Sequence, residues 1–371
     1  MSVLFERTEI NNMVLANRFV RSATWLGQAA RDGAVTPSLI HTMKTLAEGR
    51  VGLIISGHAY VSPEGLAGPW QLGAYKDELV PGLKELTGAV HDAGSRIVMQ
   101  IAHTGTFAFA KETGQEPWAV SIFEGLARSP RREMTVGDIQ ALAAAFGDAA
   151  RRAREAGFDG VQIHAAHGYL LSQFLSPAFN RRRDDYGGSV ENRSRAPLEV
   201  YRAVREAVGA DYPVLIKMNG RDFRKGGLEL EDALKAALKL EAAGLDAIEL
   251  SGGLVTAGKL SPSRPGIKTE AREAYFREEA RVFKEKLQIP LILVGGIRSF
   301  GVAEGLVQKG VADYISLSRP LIREPDLVRR WMEGDRQRAA CISDNLCFGP
   351  GRKGEGVYCV TEKKTSSPPG D

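Results

Sequence analysis

Short apolar runs rich in β-branched residues alternate along the chain with longer stretches whose apolar positions recur every three or four residues. Eight runs read as strands. They start near Arg18 (RFVRS), Val51 (VGLIIS), Arg96 (RIVMQIA), Gly160 (GVQIHA), Val214 (VLIKMN), Ala247 (AIELSG), Pro290 (PLILVG) and Tyr314 (YISLS). Near-continuous apolar runs mark strands buried on both faces, as in parallel sheets. The stretches between them, such as 139–156 and 230–243, carry helical spacing. Gly94, Gly157, Gly244 and Gly310 stand where helices would end before the next strand. Eight strand–helix units predict an α/β fold closed into a (β/α)8 TIM barrel, rather than an open sheet. The residues before Arg18 are expected to cover the barrel floor. The loop-rich stretch 104–133 is expected to pass over the top face. Past Arg338 the pattern stops. The barrel is therefore expected over 1–340 and a Cys-containing extension over 341–371, whose end from Thr365 (TSSPPGD) reads as disordered.

Composition narrows the class. The 371 residues suffice for one such barrel, and 43% hydrophobic with 25% charged residues describes a soluble globular protein. This excludes a disordered chain, a disulfide scaffold and a collagen-like fibre. Glycine is enriched, at 41 of 371 residues, or 11% against about 7% on average. The net charge, 49 − 45 = +4, is too small to argue for nucleic acid or membrane. The densest basic runs (Arg181, Arg182, Arg183 and Arg128, Arg131, Arg132) lie beside acidic residues and read as solvated faces. No apolar run reaches the roughly 18 residues of a membrane helix, and 1–18 lacks the apolar core of a signal peptide. Three cysteines cannot all pair internally, which favours a reducing cytoplasm. A small-molecule substrate is expected, and a homo-oligomer stays open.

A barrel carries its active site at the C-terminal ends of its strands. Those ends read Ser22-Ala23-Thr24-Trp25, Ser56-Gly57-His58, Gln100 to His103, His164 to Tyr169, Lys217 to Asn219, Glu249 to Gly253, Gly295-Gly296 and Ser318-Arg319. Gly295-Gly296 and Ser318-Arg319 suit a phosphate, because glycine lets backbone N–H groups approach an anion and Arg319 adds charge. A plain tight turn would look the same. Lys217 has three readings: a Schiff-base nucleophile, a counter-charge to a cofactor, or a structural ion-pair partner. His164 and His167, followed by Tyr169, can converge on one substrate oxygen. A zinc site would need a third ligand, and HAAH lacks the Glu of H-E-x-x-H. The run GPGRKG (Gly349, Gly351, Gly354) matches G-x-G-x-x-G, but no strand precedes it, so it reads as chance.

The run His164 to Pro177 (HAAHGYLLSQFLSP), continued through Asn180 to Arg193 (NRRRDDYGGSVENR), resembles the old yellow enzyme family. Asn17 to Val20, Gln100 to Gly105 (QIAHTG) and Ser318 to Pro325 (SRPLIREP) match it in order, so the resemblance covers about 1–340. It implies FMN in the barrel mouth, reduced by NADH or NADPH and reoxidised by an electron-poor alkene such as an enone or enoyl thioester. It implies that backbone at Ser22, Ala23 and Thr24 lines the flavin ring, and that Gln100 meets its pyrimidine edge. Gly295, Gly296, Ser318 and Arg319 would hold the phosphate. His164 and His167 would bind the substrate carbonyl, and Tyr169 would give a proton to Cα. Lys217 replaces the Arg of better-known members and would compensate charge on reduced flavin. Trp25 stands where others carry Thr or Cys; it would border the substrate and cannot attach FMN covalently. His58 replaces a small residue and would touch the flavin edge or simply satisfy a strand end. A Schiff-base lyase using Lys217, or a flavin-binding protein without ene-reductase activity, are the alternatives.

The cysteines all lie near the C-terminus. Cys341, Cys347 and Cys359 resemble the four-cysteine [4Fe–4S] segment of 2,4-dienoyl-CoA reductase-type members, with Asp344 where the second cysteine is expected. Carboxylate is a poor substitute for thiolate. A vestigial site is the leading expectation, ahead of an Asp-ligated cluster or zinc.

Overall fold

The computed structural model describes residues 2–126 and 130–366. Eight parallel strands close into a barrel: β1 (Phe19–Arg21), β2 (Leu53–Ile55), β3 (Arg96–Ala102), β4 (Gly160–Ala165), β5 (Val214–Asn219), β6 (Ala247–Ser251), β7 (Leu291–Leu293) and β8 (Tyr314–Leu317). Each pairs with its sequence neighbours, and β8 closes on β1 through Ile315↔Phe19, Ser316↔Val20 and Leu317↔Arg21. The (β/α)8 expectation and all eight strand positions hold.

Helices surround the barrel: α1 (Pro37–Glu48), α2 (Val80–Asp92), α3 (Val136–Glu155), α4 (Arg195–Val208), α5 (Leu230–Ala242), α6 (Arg277–Lys284), α7 (Phe300–Gln308) and α8 (Leu327–Met332). Their starts follow local chemistry. Thr36 caps α1 by accepting the Leu39 N–H ahead of Pro37, and Thr135 with Asp138 forms a reciprocal capping box on α3. Gly94, Gly157, Gly244 and Gly310 all have positive φ past helix ends, as their spacing predicts.

The barrel floor is closed by a hairpin, Thr8–Ile10 against Met13–Leu15. Ile10, Met13 and Leu15 pack with Val20, Leu53, Val98, Leu215, Ile292 and Tyr314 inside the barrel's lower half. That apolar plug leaves only the upper half free for polar side chains. The excursion 104–133 carries a short helix, Ala110–Thr113, and a two-residue pairing of Trp118–Ala119 with Arg132–Glu133; Arg128 falls outside the described residues. In the extension, Val360–Ser366 is helical, so Thr365 and Ser366 end a helix rather than begin a disordered tail, and 367–371 lie outside the described residues. Among the described residues no helix is long and apolar enough to cross a membrane.

Candidate active site

The β5–β6 register sets Lys217 opposite Glu249. Inside the barrel the Lys217 ammonium lies 3.1 Å from Glu249 Oε1 and donates to Ser22 Oγ at 2.8 Å. Glu249 is wholly buried. Its carboxylate accepts from Ser22 Oγ (2.7 Å), Ser316 Oγ (2.8 Å) and Gln162 Nε2 (3.0 Å). Gln162 in turn accepts from Gln100 Nε2 at 2.6 Å. Burial works against the Glu249 carboxylate, but Lys217 and the three hydrogen bonds outweigh it and hold the carboxyl below its ordinary value. Lys217 is thus an ion-pair partner of Glu249.

The end of β4 builds a second group. His167 has φ +64°, a conformation uncommon outside glycine. Asn219 Oδ1 accepts its backbone N–H at 3.1 Å. The sharp turn brings three rings together: His164 to His167 at 5.4 Å between centroids, and His164 to Tyr169 at 4.7 Å. His58 joins them edge-on, 5.5 Å from Tyr169. Burial lowers His164 and His167 well below the ordinary imidazole range, the neighbouring Lys217 and His58 add to this, and His167 depresses His164 further. Both are neutral at pH 7. His164 Nδ1 accepts the Ala166 N–H at 3.3 Å, which leaves the proton on Nε2 as a donor. His167 Nε2 pairs with the Ser251 hydroxyl at 2.8 Å, a partner that can give or take a proton. Burial alone pushes the Tyr169 phenol up to about 12. Burial likewise pushes His58 down to about 4, and Gln71 Nε2 meets its Nδ1 at 2.7 Å.

Two cavities flank Trp25. One runs from Lys217, His167 and Ser22 to Gly296, Ser318 and Arg319. Gly296, at φ +72°, borders it, and a Cβ there would come within 2.6 Å of the Tyr275 ring. Thr24 Oγ1 and Ser318 Oγ meet at 2.8 Å, tying β1 to the end of β8. Arg319 is fixed by the Arg264 carbonyl (3.0 Å) and Asn345 Oδ1 (2.7 Å). The other cavity, about 680 Å³, is lined by Trp25, His58, Thr104, Phe107, Phe109 and Tyr169, with Glu112 and Arg352 also on its wall.

The model of the NADH:flavin oxidoreductase / NADH oxidase family matches residues 3–338. The chain belongs to this family. It is 39% identical over 354 residues to an NADH oxidase of Thermoanaerobacter brockii, covering 93% of this chain and 53% of that protein. It is 37% identical to an NADPH dehydrogenase of Geobacillus thermodenitrificans, covering 87% and 92%. Among solved structures, the old yellow enzyme homologue from Zymomonas mobilis superposes with a TM-score of 0.78 at 28% identity, covering 96% and 97%. The chain spans about half the length of the first relatives it matches. The resemblance read from His164 to Arg193 is upheld.

The residues present fit the flavin mononucleotide that this family uses. One end of the first cavity offers Arg319 and the Gly296 backbone, a donor set for a phosphate dianion. The other end offers Lys217 and His167 beneath Ser22, Ala23 and Thr24, a donor set for a heteroaromatic edge rich in carbonyls. Gln100 lies outside that lining and is bound to Gln162 below it. His58 does not line the first cavity; it borders the second and a small pocket behind Trp25. Gly351 and Gly354 pack against the rings of Trp25 and Trp70, which accounts for two of the GPGRKG glycines without a nucleotide.

The C-terminal set does not fit a cluster or zinc as placed. Asp344 accepts from the Leu346 N–H (3.1 Å) and from Thr361 Oγ1 (2.6 Å), and Arg323 donates to Cys359 Sγ at 3.5 Å. Among the described residues no three His, Cys, Asp or Glu side chains are grouped to hold a metal. The extension instead contributes to the walls of both cavities: Ser343 and Phe348 line the first, and Arg352 the second.

Sequence reasoning named Glu249 and Ser251 only as strand-end positions and did not single out Gln162, Ser316 or Asn345. One signal was present. A lysine inside an apolar strand requires a counter-charge, and Glu249 is the acidic residue at matching depth on the next strand.

Proposed function

We propose that the chain is an FMN-dependent reductase of activated alkenes that draws its electrons from NADH or NADPH. When bound, FMN would supply the hydride chemistry that links the nicotinamide to the alkene β-carbon. The carrying observation is that His164 packs against both His167, which lines the first cavity, and Tyr169, which lines the second. His164 Nε2–H and the His167 imidazole hold the substrate's carbonyl oxygen and stabilise the enolate charge that develops there. Both rings are neutral, so they donate hydrogen bonds without surrendering a proton to the oxygen. Tyr169 keeps its proton at neutral pH and delivers it to Cα. Trp25, Phe107 and Phe109 form an apolar sleeve for the rest of the substrate. Ser22, Ala23, Thr24, Lys217, Gly296, Ser318 and Arg319 hold the cofactor, with Gly295 shaping the phosphate turn.

The test is reconstitution. The purified chain should take up FMN, lose its visible flavin absorbance on adding NADH or NADPH, and regain it on adding an enone or enoyl thioester. A chain that takes up no FMN sinks the reading. Flavin reduction without reoxidation by any activated alkene retains the cofactor and removes the substrate class.

A further inference from the structure

We propose that Glu249 is a positioning residue that sets the redox balance of the flavin site by cancelling the charge of Lys217. The proposal rests on FMN occupying the mouth cavity. Two-electron reduction with uptake of one proton leaves one negative charge on the flavin's pyrimidine side. A bare ammonium at that edge would favour the reduced form. The Lys217 ammonium is not bare: Glu249 Oε1 lies 3.1 Å from Nζ. Opposite charges this close, away from water, cancel most of each other's field at a third group.

The surroundings are built around that carboxylate. It is 0% exposed, and side chains from the residue after β1 and from β4, β5 and β8 converge on it: Ser22, Gln162, Lys217 and Ser316. Gln100 reaches it through Gln162. The two residues expected at the pyrimidine edge, Gln100 and Lys217, are therefore both tied to one buried anion. With the pair intact the flavin meets a dipole rather than a monopole, and the bound cofactor stays more reducing than Lys217 alone would make it.

Four FMN-loaded forms test this: wild type, Glu249→Gln, Lys217→Met and the double variant. Melting curves check folding, visible spectra check occupancy, and dye equilibration gives the flavin midpoint potential. Glu249→Gln should shift the two-electron equilibrium about tenfold towards reduced flavin, ~30 mV upward. Lys217→Met should move it the other way. The double variant, with neither charge, should return close to wild type. Folded, FMN-loaded Glu249→Gln with an unchanged potential overturns the proposal, because a merely structural carboxylate would leave the potential where it was. If Glu249→Gln does not fold, the double variant decides. A value near wild type supports cancellation, and a fall as large as that of Lys217→Met overturns it. Wild type that takes up no FMN overturns the cofactor reading first, and this proposal with it.

Discussion

The imidazole of His164 and the phenol of Tyr169 lie face to face, with ring centroids 4.7 Å apart and planes inclined by 20°. The group proposed to bind the substrate oxygen and the proposed proton donor are thus held together at the end of β4. Their division of labour predicts separable defects. Tyr169→Phe should slow flavin reoxidation by an enone about 100-fold, the usual worth of a general acid, and leave reduction by NADH or NADPH intact. Stopped-flow traces of the two half-reactions decide. Equal reoxidation rates across all substrates would remove Tyr169 from proton delivery.

Loss of the imidazole proposed to bind the substrate oxygen should act on the same half-reaction but respond differently to a replacement donor. His164→Ala should cost roughly 100-fold in reoxidation rate, as for removal of one oxyanion donor. His164→Asn, which restores an N–H donor, should recover part of it. Equal loss in both variants would mean that ring packing on Tyr169, not donation, is what His164 supplies.

The buried histidines also govern stability against pH. His58, His164 and His167 are held below their ordinary value in the folded chain, whereas unfolded histidine titrates near 6.5. Below that pH the unfolded state binds protons that the folded state refuses. Their contribution is therefore complete above about pH 6.5 and is lost as pH falls below it, for His58 over the range down to about 4. Each such histidine costs roughly 1.4 kcal/mol per pH unit in that window. Denaturant unfolding at pH 7, 6 and 5 should show this decline, and His58→Gln should flatten it. A wild-type curve flat over that range contradicts neutral burial.

Gly296 offers a test of the phosphate end. At φ +72°, with a virtual Cβ 2.6 Å from Tyr275, Gly296→Ala must move either the turn or the ring. FMN affinity should fall at least tenfold, and equilibrium dialysis measures it. Unaltered affinity would place the phosphate elsewhere.

The C-terminal residues predict a negative metal assay. With Asp344 held by Leu346 and Thr361, anaerobically purified protein should carry no stoichiometric iron or zinc, and chelation should leave its melting temperature unchanged. Stoichiometric iron with thiolate absorbance would show that Cys341, Cys347 and Cys359 regroup around a cluster.

The strand positions were legible because a strand buried on both faces must be an apolar run, and because the helices between end on glycines that tolerate positive φ. His164, His167 and Tyr169 were legible because a single turn after β4 holds them, so sequence proximity becomes spatial proximity. Glu249 was harder to single out. Every residue of AIELS is buried, and periodicity does not say which of them faces the barrel axis. The extension was harder still. Nothing in Ser343 or Arg352 announces that these side chains border the two cavities, nor in Asn345 that it accepts from Arg319.

The chain by itself thus determines eight parallel strands, their order, and the chemistry carried at their C-terminal ends, because hydrophobic burial and turn geometry act over short spans. Tertiary structure decides which of those ends meet. Neighbouring strands set Lys217, Gln162 and Gln100 around Glu249, but only closure of the barrel brings Ser22 and Ser316 onto the same carboxylate. Only the return of the C-terminal segment puts Gly351 on Trp25 and Asn345 on Arg319. The physical reason is that a buried charge is tolerable only with all its partners in place, and two of them, Ser22 and Ser316, come from strands that only the closed barrel and the full tertiary fold bring to it.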